Sequence, residues 1–301
     1  MGYLGRMRKR HASLNRSCRF LSLIVIGTLL LAALSATPAL ALEKFRVAIM
    51  QSEEGAADHY RALEAYLKLK GIYIDFVPAV DYPSAAAMFA NEEVDGMFSG
   101  SGVAGLMIMK DLAYPLVRPV DLKGRSTYWA VVVARKGAAP FKGCAKYLTR
   151  KRVACCSLAS SGEFFLRSLP GFDSQNIELI RAGSHGQALS LLASGQADVA
   201  IVKNLVWDRE AADFKGFEQI GSDDGRNPND TLIIAKNADS ALIARVEESL
   251  LRLGRNISPE AALARRELGI KGFVRTSPID FTHSMSLLKK AGVRSSFNFG
   301  F

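Results

Sequence analysis

The chain has 301 residues, of which 49% are hydrophobic, and carries 39 Lys and Arg against 29 Asp and Glu. This length allows two lobes or one large domain. The basic excess is modest, and no basic run is interleaved with aromatic residues after the N-terminal segment. These features exclude nucleic acid as an expected partner.

The N-terminus has the features of a secretory signal peptide. Six basic residues precede an apolar run from Phe20 to about Ala36, and the small-residue motif Ala39-Leu40-Ala41 follows. An uncleaved membrane anchor would need about 20 apolar residues, more than this run provides. We therefore predict that residues 1–41 direct export of the protein and are cleaved near Ala41. Their removal leaves 33 basic against 29 acidic residues.

The first half of the mature chain alternates predicted strands and helices. Residue spacing predicts a strand that opens the mature protein, and hydrophobic periodicity predicts helices between the following strands. This alternation is typical of βαβ units and a largely parallel sheet. The predicted strands are 45–50, 72–77 and 94–98, and the predicted helices are 57–70, 82–91 and 103–110.

A long, almost unbroken run of β-forming residues then covers 127–135. Its continuous apolarity indicates a strand buried on both faces or one that crosses between lobes. A second crossing strand is predicted at 231–235, after the polar loop 221–230. The further predicted strands are 151–155, 177–181 and 198–202, and the further predicted helices are 163–169, 185–194, 240–253, 259–268 and 280–291.

Two segments of the chain, 86–98 and 188–201, share one plan of helix, polar turn, Asp and short buried strand. This internal similarity favours two related lobes, although any two helix–turn–strand units have some similarity. Small or polar residues follow each strand: Ser99 and Ser101 in the first half, and Lys203 in the second. Open α/β sheets place ligands at the carboxyl ends of strands, so these residues are candidate ligand contacts.

A hydroxyl-rich turn follows the predicted strand 151–155. Ser160, Ser161 and Gly162 begin the next helix, where free backbone N–H groups and the positive end of the helix dipole favour an anion. The alternative is that these serines are ordinary N-caps.

Three cysteines remain after cleavage of the signal peptide. In an exported protein, a disulfide between Cys144 and either Cys155 or Cys156 is one interpretation, and buried free thiols are the other. The histidines have no metal-ligand spacing, and no nucleophilic elbow surrounds Ser160. We therefore predict no metal, no cofactor and no enzyme activity.

These residues resemble the periplasmic solute-binding proteins of phosphate, phosphite and phosphonate ABC importers. The resemblance is carried by the paired helix–turn–Asp–strand units, by the turn 160–162 and by Gly183-Ser184-His185. It implies the type 2 periplasmic-binding-protein fold: two α/β lobes with two crossing strands as the hinge. On this basis we assign residues 42–130 and 236–301 to lobe 1 and residues 131–235 to lobe 2.

The resemblance also implies roles for particular residues. The sequence Ala159-Ser160-Ser161-Gly162 matches the family's Ser-Thr-Ser-Gly phosphonate cradle, with Ala159 in place of the first Ser. His185 matches a histidine that contacts the phosphonate, and Tyr128 matches an aromatic residue on the crossing strand. The alternative for His185 is an ordinary helix-start residue.

Lys203 stands where the family usually has an Asp suited to an amine on the ligand. An ammonium inverts the charge preference at this point, which disfavours an aminoalkyl phosphonate and favours a more anionic ligand. Alternatively, Lys203 points to solvent. The turn 99–102 also departs from the Gly-Pro or Gly-Ala turn of the family.

We therefore expect a monomeric periplasmic protein that captures a small oxyanion and delivers it to an ABC permease. A ligand-sensing or accessory subunit for a membrane receptor is the first alternative, and an enzyme on the same fold is the second.

Overall fold

The computed structural model describes residues 44–50, 56–156 and 160–297. The predicted signal peptide and Ala159 lie outside these residues. Within the described ranges, no helix is long and apolar enough to cross a membrane.

The strands divide between two main sheets and one short pair. In chain order they are β1 (Phe45–Met50), β2 (Ile74–Ala79), β3 (Gly96–Ser99), β4 (Ala113–Asp121), β5 (Thr127–Tyr128), β6 (Ala130–Arg135), β7 (Arg152–Cys156), β8 (Glu178–Ala182), β9 (Val199–Lys203), β10 (Phe217–Ser222), β11 (Asn227–Pro228), β12 (Thr231–Ala235) and β13 (Ile270–Arg275).

Several helices begin after an N-cap side chain that accepts a backbone hydrogen bond; these N-caps are Asp81, Ser160, Ser184, Asp239 and Ser258. In chain order the helices are α1 (Arg61–Lys68), α2 (Tyr82–Ala90), α3 (Ser101–Met109), α4 (Ser161–Ser168), α5 (His185–Ala193), α6 (Asn204–Glu210), α7 (Ser240–Arg252), α8 (Pro259–Glu267) and α9 (Thr282–Lys290). Short 3-10 turns cover Ala56–Tyr60, Ala145–Leu148, Leu253–Arg255 and Pro278–Phe281.

Each main sheet defines one lobe. Lobe 1 has the strand order β13-β4-β12-β3-β1-β2, and lobe 2 has the order β10-β6-β9-β7-β8. Three neighbouring strands of each sheet are parallel, namely β2-β1-β3 and β8-β7-β9. The prediction of largely parallel sheets is wrong for the remaining strands, which pair antiparallel.

The chain crosses between the lobes through the segments 121–130 and 222–231, whose strands β5 and β11 pair antiparallel. The predicted single strand 127–135 is interrupted at Trp129, because the backbone N–H of Trp129 donates to Asn204 Oδ1 at 3.0 Å. Strand β12 lies in the lobe 1 sheet because it pairs with both β3 and β4. The predicted lobe 2 boundary at residue 235 is therefore corrected, since 231–235 belong to lobe 1.

Helix α4 of lobe 2 packs against helices α3 and α9 of lobe 1. Its Phe164 is 2% exposed and belongs to the lobe 1 core, together with Ala104, Phe281 and Leu288. One aromatic side chain from lobe 2 is therefore buried in the other lobe. This packing holds the first turn of α4 at the boundary between the lobes.

We expect Phe164→Ala to lower the free energy of unfolding by about 3 kcal/mol or more, because it leaves a cavity in the core that joins the lobes. The measurement is urea-induced unfolding. Val80→Ala serves as the control, since Val80 is 79% exposed and its truncation should change stability by less than about 0.5 kcal/mol. Equal effects of the two substitutions would contradict the packing described.

Candidate functional site

The carboxyl ends of three neighbouring strands meet at one edge of lobe 2. Lys203 ends β9, Ser160 follows β7, and His185 follows β8. On lobe 1, β3 ends at Ser99, which pairs with Thr231 at the start of β12. The predicted residues of the two lobes are therefore located at strand ends, where open α/β sheets bind ligands.

A chain of side-chain contacts connects the two lobes at this edge. Ser101 Oγ and Tyr128 Oη share a hydrogen bond of 2.7 Å. The Lys203 ammonium lies 4.5 Å from the centre of the Tyr128 ring, and its Nζ is 3.4 Å from Asp230 Oδ1. Lobe 1, both crossing segments and lobe 2 each contribute one member of this group.

Lys203 is directed into the protein, because its side chain is only 14% exposed. The ammonium interacts with an aromatic ring face and a carboxylate. This placement differs from the solvent-facing alternative considered for this residue.

The adjacent serines at the start of α4 differ in their hydrogen bonding. Ser160 Oγ donates to the Cys156 carbonyl at 2.7 Å and accepts from the backbone N–H of Glu163 at 3.2 Å. Ser160 is therefore the N-cap. The Ser161 side chain is buried, and its Oγ has no hydrogen-bond partner within the described part of the chain.

Gly162 permits a close approach between α4 and β9. A Cβ atom added at this position would lie 2.7 Å from the carbonyl oxygen of Ile201. The glycine therefore places the first turn of α4 directly against the strand that ends in Lys203.

We expect Gly162→Ala to reduce the free energy of unfolding by about 1–3 kcal/mol, since the new methyl group must push the helix away from backbone. Gly216→Ala is the matched control, because nothing lies within 4 Å of its added Cβ. Urea unfolding of both variants tests this contrast. A Gly162→Ala protein as stable as the control would show that the close approach is unimportant.

His185 begins α5 after the N-cap Ser184. Burial, and secondarily the charge of Lys203, lower the pKa of His185 from 6.5 to about 3, although Asp230 acts in the opposite direction. The imidazole is thus neutral at physiological pH. Its Nδ1 is buried and has no partner among the residues that the structure describes.

Because the folded protein disfavours protonated His185, its stability should decrease as the pH falls from 6.5 towards 3. The unfolded chain binds the extra proton in this range, so the loss approaches about 1.4 kcal/mol per pH unit. Urea unfolding of the wild type and of His185→Gln from pH 7 to pH 4 measures it. The variant should lack this one-proton component, whereas a His59→Gln control, altered at an exposed residue, should retain it. Identical pH profiles for the wild type and His185→Gln would refute the assignment.

The remaining predicted residues have local roles. Ser99 is buried and its Oγ donates to the Gly100 carbonyl at 3.0 Å. Cys144 and Cys155 are free thiols, and the structure has no disulfide from Cys144 to either of the other two cysteines. Cys144 is exposed and donates weakly to the Pro170 carbonyl, whereas the other two cysteines are buried in lobe 2. Burial, and then the charge of Glu163, raise the pKa of Cys155.

Two residues at this edge were missed by sequence reasoning. Asp230 was assigned to a polar loop, and Thr231 was treated only as the start of a crossing strand. The structure places Asp230 beside Lys203, and the Thr231 hydroxyl is buried without a partner in the described ranges. The sequence signal for these two residues was the polar pair Asp230-Thr231 at the start of a buried strand.

Proteins of known structure share this two-lobed arrangement. XAC2383 from Xanthomonas citri bound to ATP has a TM-score of 0.67 and 16% identity, over 82% of this chain and 96% of that chain. PhnD1 from Prochlorococcus marinus in complex with methylphosphonate has a TM-score of 0.68 and 14% identity, over 83% and 99%. The ABC phosphonate transporter binding protein PA3383 from Pseudomonas aeruginosa has a TM-score of 0.61 and 14% identity, over 82% and 85%. The fold is therefore that of the type 2 periplasmic binding proteins, which confirms the predicted fold class.

A family model described as the periplasmic substrate-binding protein of phosphonate ABC transporters matches residues 45–281. This chain belongs to that family, and the resemblance stated from sequence is confirmed. A search of curated proteins finds no match.

Proposed function

We propose that this protein binds a small oxyanion between its lobes and delivers it to an ABC permease. The observation that carries the proposal is the Ser161 hydroxyl, which is buried and unpartnered in the described structure at the start of α4. A helix start offers free N–H groups and a positive dipole end, so a hydroxyl directed there suits an anion.

Most of the hydrogen-bond donors proposed for this oxyanion site are neutral. His185 is uncharged near neutral pH, and a neutral imidazole still donates through one ring nitrogen. The Thr231 hydroxyl adds a buried donor from lobe 1, and like Ser161 Oγ it lacks a partner in the described ranges. Buried polar groups without partners are costly, and an oxyanion would satisfy them.

Lys203 supports an anionic ligand electrostatically. Its ammonium lies at the end of β9, next to the strand that leads into α4. Its pairing with Asp230 is long, at 3.4 Å and 3.5 Å to the two carboxylate oxygens, whereas strong charge-assisted hydrogen bonds measure about 2.7–2.9 Å. The ammonium is therefore able to turn towards a bound oxyanion.

The hydroxyl of Ser160 favours a binding role over catalysis. It is committed to capping α4 and to the Cys156 carbonyl, so it is not paired with a base that would activate it. Because both lobes would contact the anion, its binding would stabilise the closed arrangement of the lobes. Export through cleavage near Ala41 would place this monomer where an importer collects its ligand.

The adjacent serines provide the sharpest test. Ser161→Ala should weaken oxyanion binding about tenfold with little change in stability, because its hydroxyl has no partner to lose. Ser160→Ala should lower the free energy of unfolding by about 1 kcal/mol, because it removes the N-cap. Titration calorimetry with methylphosphonate, phosphite and phosphate, together with urea unfolding, measures both effects.

Glucose and ethanol serve as ligand controls that carry no charge. Binding of none of the three anions would refute the proposed function. Unchanged affinity of Ser161→Ala for these anions would show that the oxyanion binds elsewhere.

A further inference from the structure

A groove of about 380 Å³ lies between the first crossing segment, which follows β4, and helix α6 of lobe 2. Lys203, which we assign to the oxyanion site, and its partner Asp230 both line this groove. The groove is therefore continuous with the oxyanion site. Its volume is at the lower end of the range for pockets that hold small organic molecules, so it has room for more than a methyl group.

Leucine side chains line the groove on both sides. Leu122 directly follows β4 and is 64% exposed, whereas Leu205 is the second residue of α6 and is partly buried. Leu205 is only two residues from Lys203, a span of at most about 7 Å. Neither leucine belongs to a hydrophobic core of the described residues. The groove therefore has apolar side chains that the cores of the two lobes do not use.

The charged side chains of the groove are largely paired with one another. Arg125 Nε donates to Asp121 Oδ2 at 2.8 Å, and the same guanidinium donates to the carboxylate of Asp208 on α6. Arg209 Nη2 lies 2.7 Å from Glu210 Oε1. These ion pairs leave little free charge for a ligand.

The remaining charges also favour an uncharged ligand group in the groove. Lys203 and Asp230 have opposite charges, so together they give no net attraction to either an amine or a carboxylate. Lys123 is exposed, and water screens its ammonium. A charged group would lose water and compete with the existing ion pairs, whereas an alkyl chain loses no hydrogen bonds. The apolar side chains therefore determine which group the groove holds.

We propose that the captured oxyanion carries an uncharged alkyl substituent and that Leu122 and Leu205 hold this substituent in the groove. The proposal rests on the proposed oxyanion function and names the ligand as an alkyl phosphonate with a chain longer than methyl. The phosphonate group occupies the start of α4, and the alkyl chain extends past Lys203 along the groove. Because one leucine follows the lobe 1 sheet and the other belongs to lobe 2, a longer chain contacts both sides and stabilises the closed arrangement.

The direct test is titration calorimetry of the mature protein, at one pH, with methyl-, ethyl-, propyl- and butylphosphonate. Each added methylene should tighten binding about two- to fourfold, because it buries further apolar surface. Equal affinity along the series, or weaker binding of the longer chains, would overturn the proposal. Failure of all four phosphonates to bind would refute the oxyanion function itself, and this proposal with it.

Charged analogues of matched length test the choice of an uncharged chain. Propylphosphonate should bind about tenfold more tightly than aminoethylphosphonate, and butylphosphonate about tenfold more tightly than carboxyethylphosphonate, because the charged groups give up hydration in the groove. Tighter binding of either charged analogue than of its alkyl match would overturn the assignment of an uncharged chain.

The two leucines are tested by Leu122→Ala and Leu205→Ala. Each substitution should weaken butylphosphonate binding about three- to tenfold more than methylphosphonate binding, because it removes contacts with the chain and not with the phosphonate group. Leu69→Ala is the matched control, since Leu69 is 63% exposed just after α1, and it should leave the series unchanged. An undiminished dependence on chain length in both groove variants would overturn the roles of the leucines. The unfolding midpoint of each variant checks that it remains folded.

Discussion

The ammonium of Lys203 is the point where both lobes and both crossing segments meet. Its strand belongs to lobe 2, the ring beneath it lies on the first crossing segment, and its carboxylate partner Asp230 lies on the second. The same ring is held to lobe 1 through Ser101. A mostly buried ammonium needs such partners. Its location therefore ties the electrostatics of the cleft to the arrangement of the two lobes.

In the first turn of helix α4, structural roles and the proposed binding role belong to different residues. Ser160 satisfies the helix start, Gly162 allows the helix to approach β9, and Phe164 anchors the helix in lobe 1. Ser161 remains with a buried hydroxyl that the described protein groups do not use. The stability of the helix therefore does not depend on the group that we assign to the ligand.

Sequence reasoning located much of the fold because local patterns determine it. The paired units ending in β3 and β9 were predicted from their shared plan, and most helices lie within a few residues of their predicted bounds. Strand β4 was missed because Pro115 and Pro119 interrupt its pattern of β-forming residues. Strands β10 and β13 were missed because they lack a continuous apolar run. Antiparallel strands added from distant parts of the chain leave little local signal.

The site was predicted less completely because its geometry depends on contacts between the lobes. The strand-end positions of Ser101, His185 and Lys203 were evident from sequence, whereas the pairing of Lys203 with Asp230 depends on the crossing segments. The packing of three aromatic rings in lobe 1 was also hidden, since Tyr60, Phe98 and Phe273 come from three separate parts of the chain. Sequence spacing contains no information on such long-range convergence.

The central claim is that an oxyanion is held between the lobes at the start of α4. A crystal structure of the mature protein with methylphosphonate tests it most directly. We predict phosphonate oxygens within about 3.2 Å of Ser161 Oγ and of a ring nitrogen of His185, with at least one contact from lobe 1. A phosphonate bound outside the cleft, or one that leaves the Ser161 hydroxyl without a partner, would contradict the account.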